Sequence, residues 1–252
     1  MKSQLYNLEG ELSEEIELPE FFQFVPREDL IRKAFRAISL TLRQPYGSSP
    51  LAGTRRVGQN AGPGHGSSRL PRTSGSSTAV LLAHVVKGRS AHSPRSNKVL
   101  FKKINDNERK IAIKSAIALT ASAEHVKKRG HKIPEELKFP IVASDDIQKF
   151  SKVAQAMKFL ENLSLDEDVE RSKFGKKIRA GRGKMRGRRY KQPRSILVVG
   201  TDRSSLRPFE SLPGVEVATA DSLSIRKLAP GGNGGRLTIY TKSAVSQLGR
   251  QN

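Results

Sequence analysis

Between Asp29 and Asp106 the chain carries no acidic residue, and this most constrains what it can fold into. Within that span, residues 44–103 are broken up by glycine, proline and serine. The stretch opens with Gln44-Pro45-Tyr46-Gly47-Ser48-Ser49-Pro50 and runs through Gly62-Pro63-Gly64-His65-Gly66 and Arg69-Leu70-Pro71-Arg72 to Phe101-Lys102-Lys103. Ten basic residues follow Arg43: Arg55, Arg56, Arg69, Arg72, Lys87, Arg89, Arg95, Lys98, Lys102 and Lys103. A connection longer than ~12–15 residues without secondary structure is either functional or disordered. This one is too polar to bury a core of its own, so it orders on a partner that offsets its charge and its entropy. The expected organisation is a globular α/β domain, residues 1–43 and 104–252, with an extended basic loop, 44–103, inserted in it. Drawn out as a hairpin, such a loop reaches on the order of 90 Å, at ~3.3 Å per residue over half its length.

A second run, residues 171–194, holds twelve positive charges and no acid. Lys176, Lys177, Arg179, Arg182, Lys184, Arg186, Arg188 and Arg189 are interleaved with Gly175, Gly181, Gly183 and Gly187. A surface that serves only solubility mixes the two signs of charge. Glycine beside arginine lets backbone amides and guanidinium forks approach phosphates closely. The net charge of +22 and pI near 10.5 point the same way, to a polyanionic partner. An irregular arm fits folded RNA better than a DNA groove, which is usually read by a compact helix. With no Trp and 6% aromatic residues, phosphate contact outweighs base stacking.

Outside the two runs, roughly 170 residues remain, enough for one packed domain. Gln4-Leu5-Tyr6-Asn7-Leu8 alternates and Glu9-Gly10 reads as a turn, predicting a strand or hairpin in the one acidic region, Glu9 to Glu20. Phe21-Phe22 packs on the domain. A helix is predicted from near Pro26 to Gln44, with Ile31, Phe35, Ile38 and Leu42 on its apolar face. A second helix, capped by Asn105 and Glu108, runs to about Lys128 and stops at Gly130. A third begins at Ser144 with the face Ile147, Phe150, Val153, Ala154, Met157, Leu160 and Leu163. Apolar strands are predicted at 139–143, 195–200, 215–219 and 237–240, with short helices at 204–210, 224–228 and 243–248. Continuously apolar strands separated by helices indicate a parallel sheet covered on both faces.

Other chemistry is weakly represented. Without cysteine there is no disulfide or thiolate metal site, and the five histidines show no i,i+4 ligand pair. In the loop, His65, His84 and His92 suit contacts to bases or phosphates. A phosphate-cradling glycine loop follows a strand and opens a helix. The clusters at 62–66 and 231–235 do neither, and Gly200-Thr201-Asp202-Arg203 lacks the glycines. No nucleophile constellation, cofactor or metal site is expected. No apolar run approaches the ~18 residues of a membrane span, and the first residues lack a signal-peptide apolar region. The protein is therefore expected to be soluble and intracellular. The alternative is a nucleotide-using, RNA-modifying α/β enzyme with basic insertions. A chromatin-type DNA compactor is a weaker one.

Arg43-Gln44-Pro45-Tyr46-Gly47, Leu51-Ala52-Gly53 and Arg69-Leu70-Pro71-Arg72 resemble the universal large-subunit ribosomal protein four family, in its archaeal/eukaryotic form. So do Lys177 to Tyr190, the most specific motif, and Leu237-Thr238-Ile239-Tyr240-Thr241. The resemblance runs in order along essentially the whole chain, and the lack of a long C-terminal extension is similar to archaeal members. It implies a non-enzymatic, Rossmann-like domain without cofactor, in the cytoplasm, on the large ribosomal subunit. The implied partners are large-subunit rRNA, neighbouring ribosomal proteins and the nascent peptide. The loop would thread inward, its tip between Gly62 and Arg89 lining the peptide exit tunnel. Residues 74–84 depart from the family's aromatic-bearing return strand, having no aromatic residue.

Overall fold

A computed structural model describes residues 2–250. The outermost positions of the expected globular domain, 1, 251 and 252, lie outside the described residues. Contacts divide the chain into two units: Leu40–Lys102, and the sequence on either side of it.

The flanking unit is built on a six-stranded sheet. The strands are β1 (Lys2–Tyr6), β2 (Leu12–Glu17), β3 (Ile141–Ala143), β6 (Leu197–Gly200), β7 (Glu216–Thr219) and β8 (Thr238–Thr241), in the order β2-β1-β3-β8-β6-β7. Five of them run parallel, and β2 returns antiparallel from β1 to form one edge. The strands β4 (Lys177–Ile178) and β5 (Tyr190–Lys191) form a separate antiparallel pair. The α/β fold with a mostly parallel, helix-covered sheet agrees with the reading of the sequence.

Successive strand residues point to opposite faces, and each face has its own core. Leu5, Val142, Leu197, Val199 and Tyr240 point to one side. There they meet α1 (Glu28–Thr41), α2 (Asp106–Thr120), α7 (Ile225–Leu228) and α8 (Lys242–Arg250), together with Phe21 and Phe22. Ile141, Ile196, Val198, Val217 and Ile239 point to the other. They are covered by α3 (Ala123–Arg129), α4 (Val153–Asn162), α5 (Asp166–Phe174) and α6 (Arg207–Glu210). Tyr240 is fully buried at the sheet centre, and its hydroxyl pairs with Thr120 Oγ1 at 2.9 Å.

Three helices differ from expectation. The predicted helix from Asn105 to Lys128 breaks at Ala121 and Ser122, so that α2 and α3 cover opposite faces of the sheet. Asn105 holds the N-cap position but makes no side-chain cap bond, and Glu108 pairs with Lys33 at 2.8 Å. The helix predicted from Ser144 is a 3-10 turn, Asp145–Lys149, followed by α4. Its buried face is Ala156, Phe159 and Leu160, while Val153 is exposed. In α1, Ala34 and Ala37 are buried beside Ile31, while Leu42 lies beyond the helix and is exposed. Gly130 ends α3 as expected, in the left-handed conformation (φ 96°) that glycine adopts without strain.

Candidate nucleic-acid interface

The first basic surface is the unit Leu40–Lys102. It contains no acid, so none of its cations is neutralised from within. The expected extended arm is locally folded into turns. Gln59 and Arg72 exchange both backbone hydrogen bonds (3.0 and 2.9 Å), which closes a turn with Gly62-Pro63-Gly64-His65-Gly66 at its tip. Val80 N–H donates to Pro71 at 3.0 Å and Thr73 N–H to Thr78 at 3.1 Å, closing a second turn. Arg89 N–H donates to Leu82 at 3.1 Å, closing a third. Gly62, Gly64 and Gly66 have φ of 78°, 88° and 62°, and nothing lies within 4 Å of where a Cβ would stand. Backbone conformation, not crowding, calls for glycine there.

Arg43, Arg55, Arg56, His65, Arg69, Lys87, Arg95, Lys98, Lys102 and Lys103 are exposed, while Arg72 and Arg89 are half-buried. Arg72 serves the segment itself. Its guanidinium donates to Ser68 Oγ at 3.0 Å and to the Ser77 carbonyl, while its backbone bridges Gln59 on one side and Ala79 on the other. Only Val80 among the large apolar side chains here is buried, which accords with a segment too polar for its own core.

The second surface is the hairpin β4–β5. Lys177 lies opposite Lys191, and Ile178 opposite Tyr190. Beyond the strands, Arg179 N–H donates to Arg189 at 2.8 Å, and Arg186 and Arg188 N–H both donate to Gly183 at 3.1 Å. Arg179 folds inward, its Nε donating to the Arg188 carbonyl at 3.1 Å. Lys176 Nζ stands 4.7 Å above the Tyr190 ring. Lys176, Lys177, Arg182, Lys184, Arg186, Arg188 and Arg189 are exposed, as are Met185 and Phe174. With Lys191, eight exposed cations share this short hairpin, and each of these guanidinium groups keeps donors free for phosphate.

The ends of the basic run 171–194 are anchors in place of free charge. Arg171 and Ser172 belong to α5, a helix the sequence reading did not identify. Asp168, fully buried, receives Arg171 at 2.8 and 3.2 Å, Ser195 Oγ at 2.7 Å, His131 Nδ1 at 3.1 Å and Lys132 N–H at 3.0 Å. Burial alone would raise its carboxyl pKa. The bonds from His131 and Arg171 outweigh burial and hold it well below the usual carboxylate range. Burial pushes the His131 pKa down, only partly opposed by Asp168.

Arg194 pairs with Glu216, which also takes Arg236 at 2.5 Å. Arg236 is the largest fully buried side chain; it donates to the carbonyls of Ser195 (3.0 Å) and Lys227 (2.8 Å), and burial lowers its pKa to about 9. The only sequence sign of the Asp168 anchor was the i,i+3 spacing of Asp168 and Arg171. Nothing local marked Arg236.

The turn after β6 is closed by side chains. An added Cβ at Gly200 would sit 2.6 Å from Leu206, and Thr201 Oγ1 bonds Gln148 at 2.8 Å. Among the described residues, no helix is long and apolar enough to cross a membrane.

The profile of the ribosomal protein L4/L1 family matches residues 16–251. Proteins named large ribosomal subunit protein uL4 match nearly end to end. That of Thermoplasma acidophilum is 60% identical over 98% of this chain and 97% of its own. That of Thermoplasma volcanium is 60% identical over 100% and 98%. That of Methanocaldococcus jannaschii is 46% identical over 98% of each. Sequence, fold and these matches agree: the chain belongs to the ribosomal protein L4/L1 family, in its archaeal type, and is a structural, non-enzymatic ribosomal protein.

Proposed function

We propose that the chain is built into the large ribosomal subunit by binding large-subunit rRNA through its two acid-free surfaces. Neighbouring ribosomal proteins would pack against it there. The observation that carries this reading is the pair of exposed cation sets, one on Leu40–Lys102 and one on the β4–β5 hairpin, neither with an acid among its own residues. Opposed like charges weaken a free protein and favour a polyanion-bound one.

In this reading Arg43, Arg55, Arg56, His65, Arg69, Lys87, Arg89, Arg95, Lys98, Lys102 and Lys103 contact RNA from the loop, and Arg72 shapes it. Lys176, Lys177, Arg182, Lys184, Arg186, Arg188 and Arg189 contact RNA from the hairpin, with Arg179 bracing the turn. The tip between Gly62 and Arg89 reaches the exit tunnel and meets the nascent peptide.

The test is binding of the full-length protein to large-subunit rRNA across a salt series. Affinity falls with a log–log slope of about −0.7 to −0.9 per phosphate neutralised. Replacing Arg182, Lys184, Arg186 and Arg188 by Ala makes that slope shallower. Equal affinity for duplex DNA at physiological salt would overturn the reading. The tunnel assignment is checked by a photo-crosslinker placed at His65 in assembled ribosomes. Crosslinks to an arrested nascent chain support it, and crosslinks to rRNA alone refute it.

A further inference from the structure

A cleft of about 580 Å³ opens in the flanking unit, separate from the outer face of the hairpin. Arg32 of α1, Lys128 and Arg129 at the end of α3, and Arg171 and Arg194 at the hairpin root line its wall. Glu28 is the one carboxylate on that wall, and Arg32 already holds it at 2.9 Å. Arg171 and Arg194 are tied to carboxylates behind the wall, Asp168 and Glu216. Lys128 has no carboxylate partner among the described residues. Arg129 has only carbonyls, those of Pro230 at 2.6 Å, Gly234 at 3.3 Å and Asn233. Burial and the nearby Arg236 lower the Arg129 pKa to about 10, so it stays charged at neutral pH. These cations line one concave surface, where an anion relieves their repulsion.

The volume falls within the ~300–1,000 Å³ of small-molecule clefts, which suits a nucleotide and excludes a duplex. The wall is continuous with the hairpin, because Arg194 follows β5 by three residues. A strand bound along β5 therefore reaches the cleft without a detour. We propose that the cleft seats one or two nucleotides of single-stranded RNA running off the hairpin root, their phosphates held by Arg32, Lys128 and Arg129. This rests on the RNA-binding reading above and adds a third contact surface and the single-stranded form of the partner there.

The experiment uses the full-length protein and a 12-nucleotide oligouridylate as probe. Arg32→Ala with Lys128→Ala removes two exposed cations that hold no core in place. Two lost phosphate contacts make the salt slope shallower by about 1.4 and lower affinity roughly 25-fold at 0.1 M salt, about fivefold for each contact. The comparison variant, Arg182→Ala with Arg186→Ala and Arg188→Ala, also weakens binding. If only the hairpin variant weakens binding, the cleft proposal fails and the RNA reading stands. If the unaltered protein does not bind the oligouridylate at all, the RNA reading itself fails. A 12-residue oligoglutamate is the control for an acidic peptide: if it binds and the cleft variant loses that binding but keeps the RNA, the cleft takes protein and the proposal is overturned.

Discussion

Asp168 is buried without being neutral, because donors from four residues converge on its two oxygens. Removing one partner of such a cluster leaves the others buried and unsatisfied, a loss of roughly 3–5 kcal/mol. Asp168→Asn is therefore expected to lower the urea midpoint sharply, whereas Asp166→Asn, one turn-mate away, leaves it nearly unchanged. His131 adds a pH dependence. Its folded pKa lies below the ordinary value of 6.5, so the unfolded chain takes up the proton first. Its contribution to stability is complete above pH 6.5 and is lost as pH falls through the folded pKa, at up to about 1.4 kcal/mol per pH unit for one proton. Urea titrations between pH 8 and 5 should show that slope in the native protein and a flatter one in His131→Asn; equal slopes would exclude His131 as the cause. Arg72 makes a different point. Its place in the basic loop suits a phosphate ligand, yet its fork joins Ser68 to Ser77. Arg72→Lys keeps the charge and loses the fork. It should speed proteolytic nicking between residues 62 and 77 in the free protein roughly fivefold, the ~1 kcal/mol of one net hydrogen bond.

At the scale of elements, the hairpin β4–β5 is held by few bonds for its charge. Besides the Arg179 guanidinium on the Arg188 carbonyl, the Lys176 ammonium over Tyr190 and the Ile178–Tyr190 pair are side-chain contacts that hold it, the latter two worth about 0.5–1 kcal/mol each. Tyr190→Ala should accelerate amide exchange at Arg179 and Arg188 by severalfold, and Tyr190→Phe should not; no difference between the two would mean the ring does not help to hold the turn. The strands β6, β7 and β8 were legible because each is a short apolar run bounded by glycine or polar residues. Two of the helix breaks were not. Ala121-Ser122 continues a helix by propensity, and the chain turns there because Leu119 packs on one sheet face and Val126 on the other. Helix α5 has no apolar periodicity in the sequence, because its composition is charged and only Val169 buries a large apolar side chain. The basic surfaces were legible as composition. What local pattern could not convey was which arginines are structural: Arg171 has Asp168 three residues before it, but Arg194 and Arg236 both find their carboxylate at Glu216, in β7.

For the whole molecule, the division at Leu40 and Lys102 leaves every large buried apolar side chain except Val80 in the flanking unit. Replacing residues 44–101 by a short Gly-Ser turn should leave a cooperatively melting domain with a Tm within a few degrees of the full chain. Its rRNA affinity should lose much of its salt dependence, by up to about 0.7 in slope for each of the eight removed lysines and arginines that meets a phosphate. An unfolded product would show that the loop is needed for the fold. The sheet also separates its charges. The hairpin root joins at β6 and β7, while β2, with Glu17 exposed and Glu14 and Glu15 paired with Lys242 and Lys2, forms the far edge. Four to five interstrand steps of ~4.8 Å put about 19–24 Å between them. The flanking unit thus approaches a polyanion as a lopsided body, pulled in far more strongly at one rim than at the other. Its landing is oriented before any specific contact forms, and neutralising the β2 glutamates should allow wrong-way encounters that stall subunit assembly.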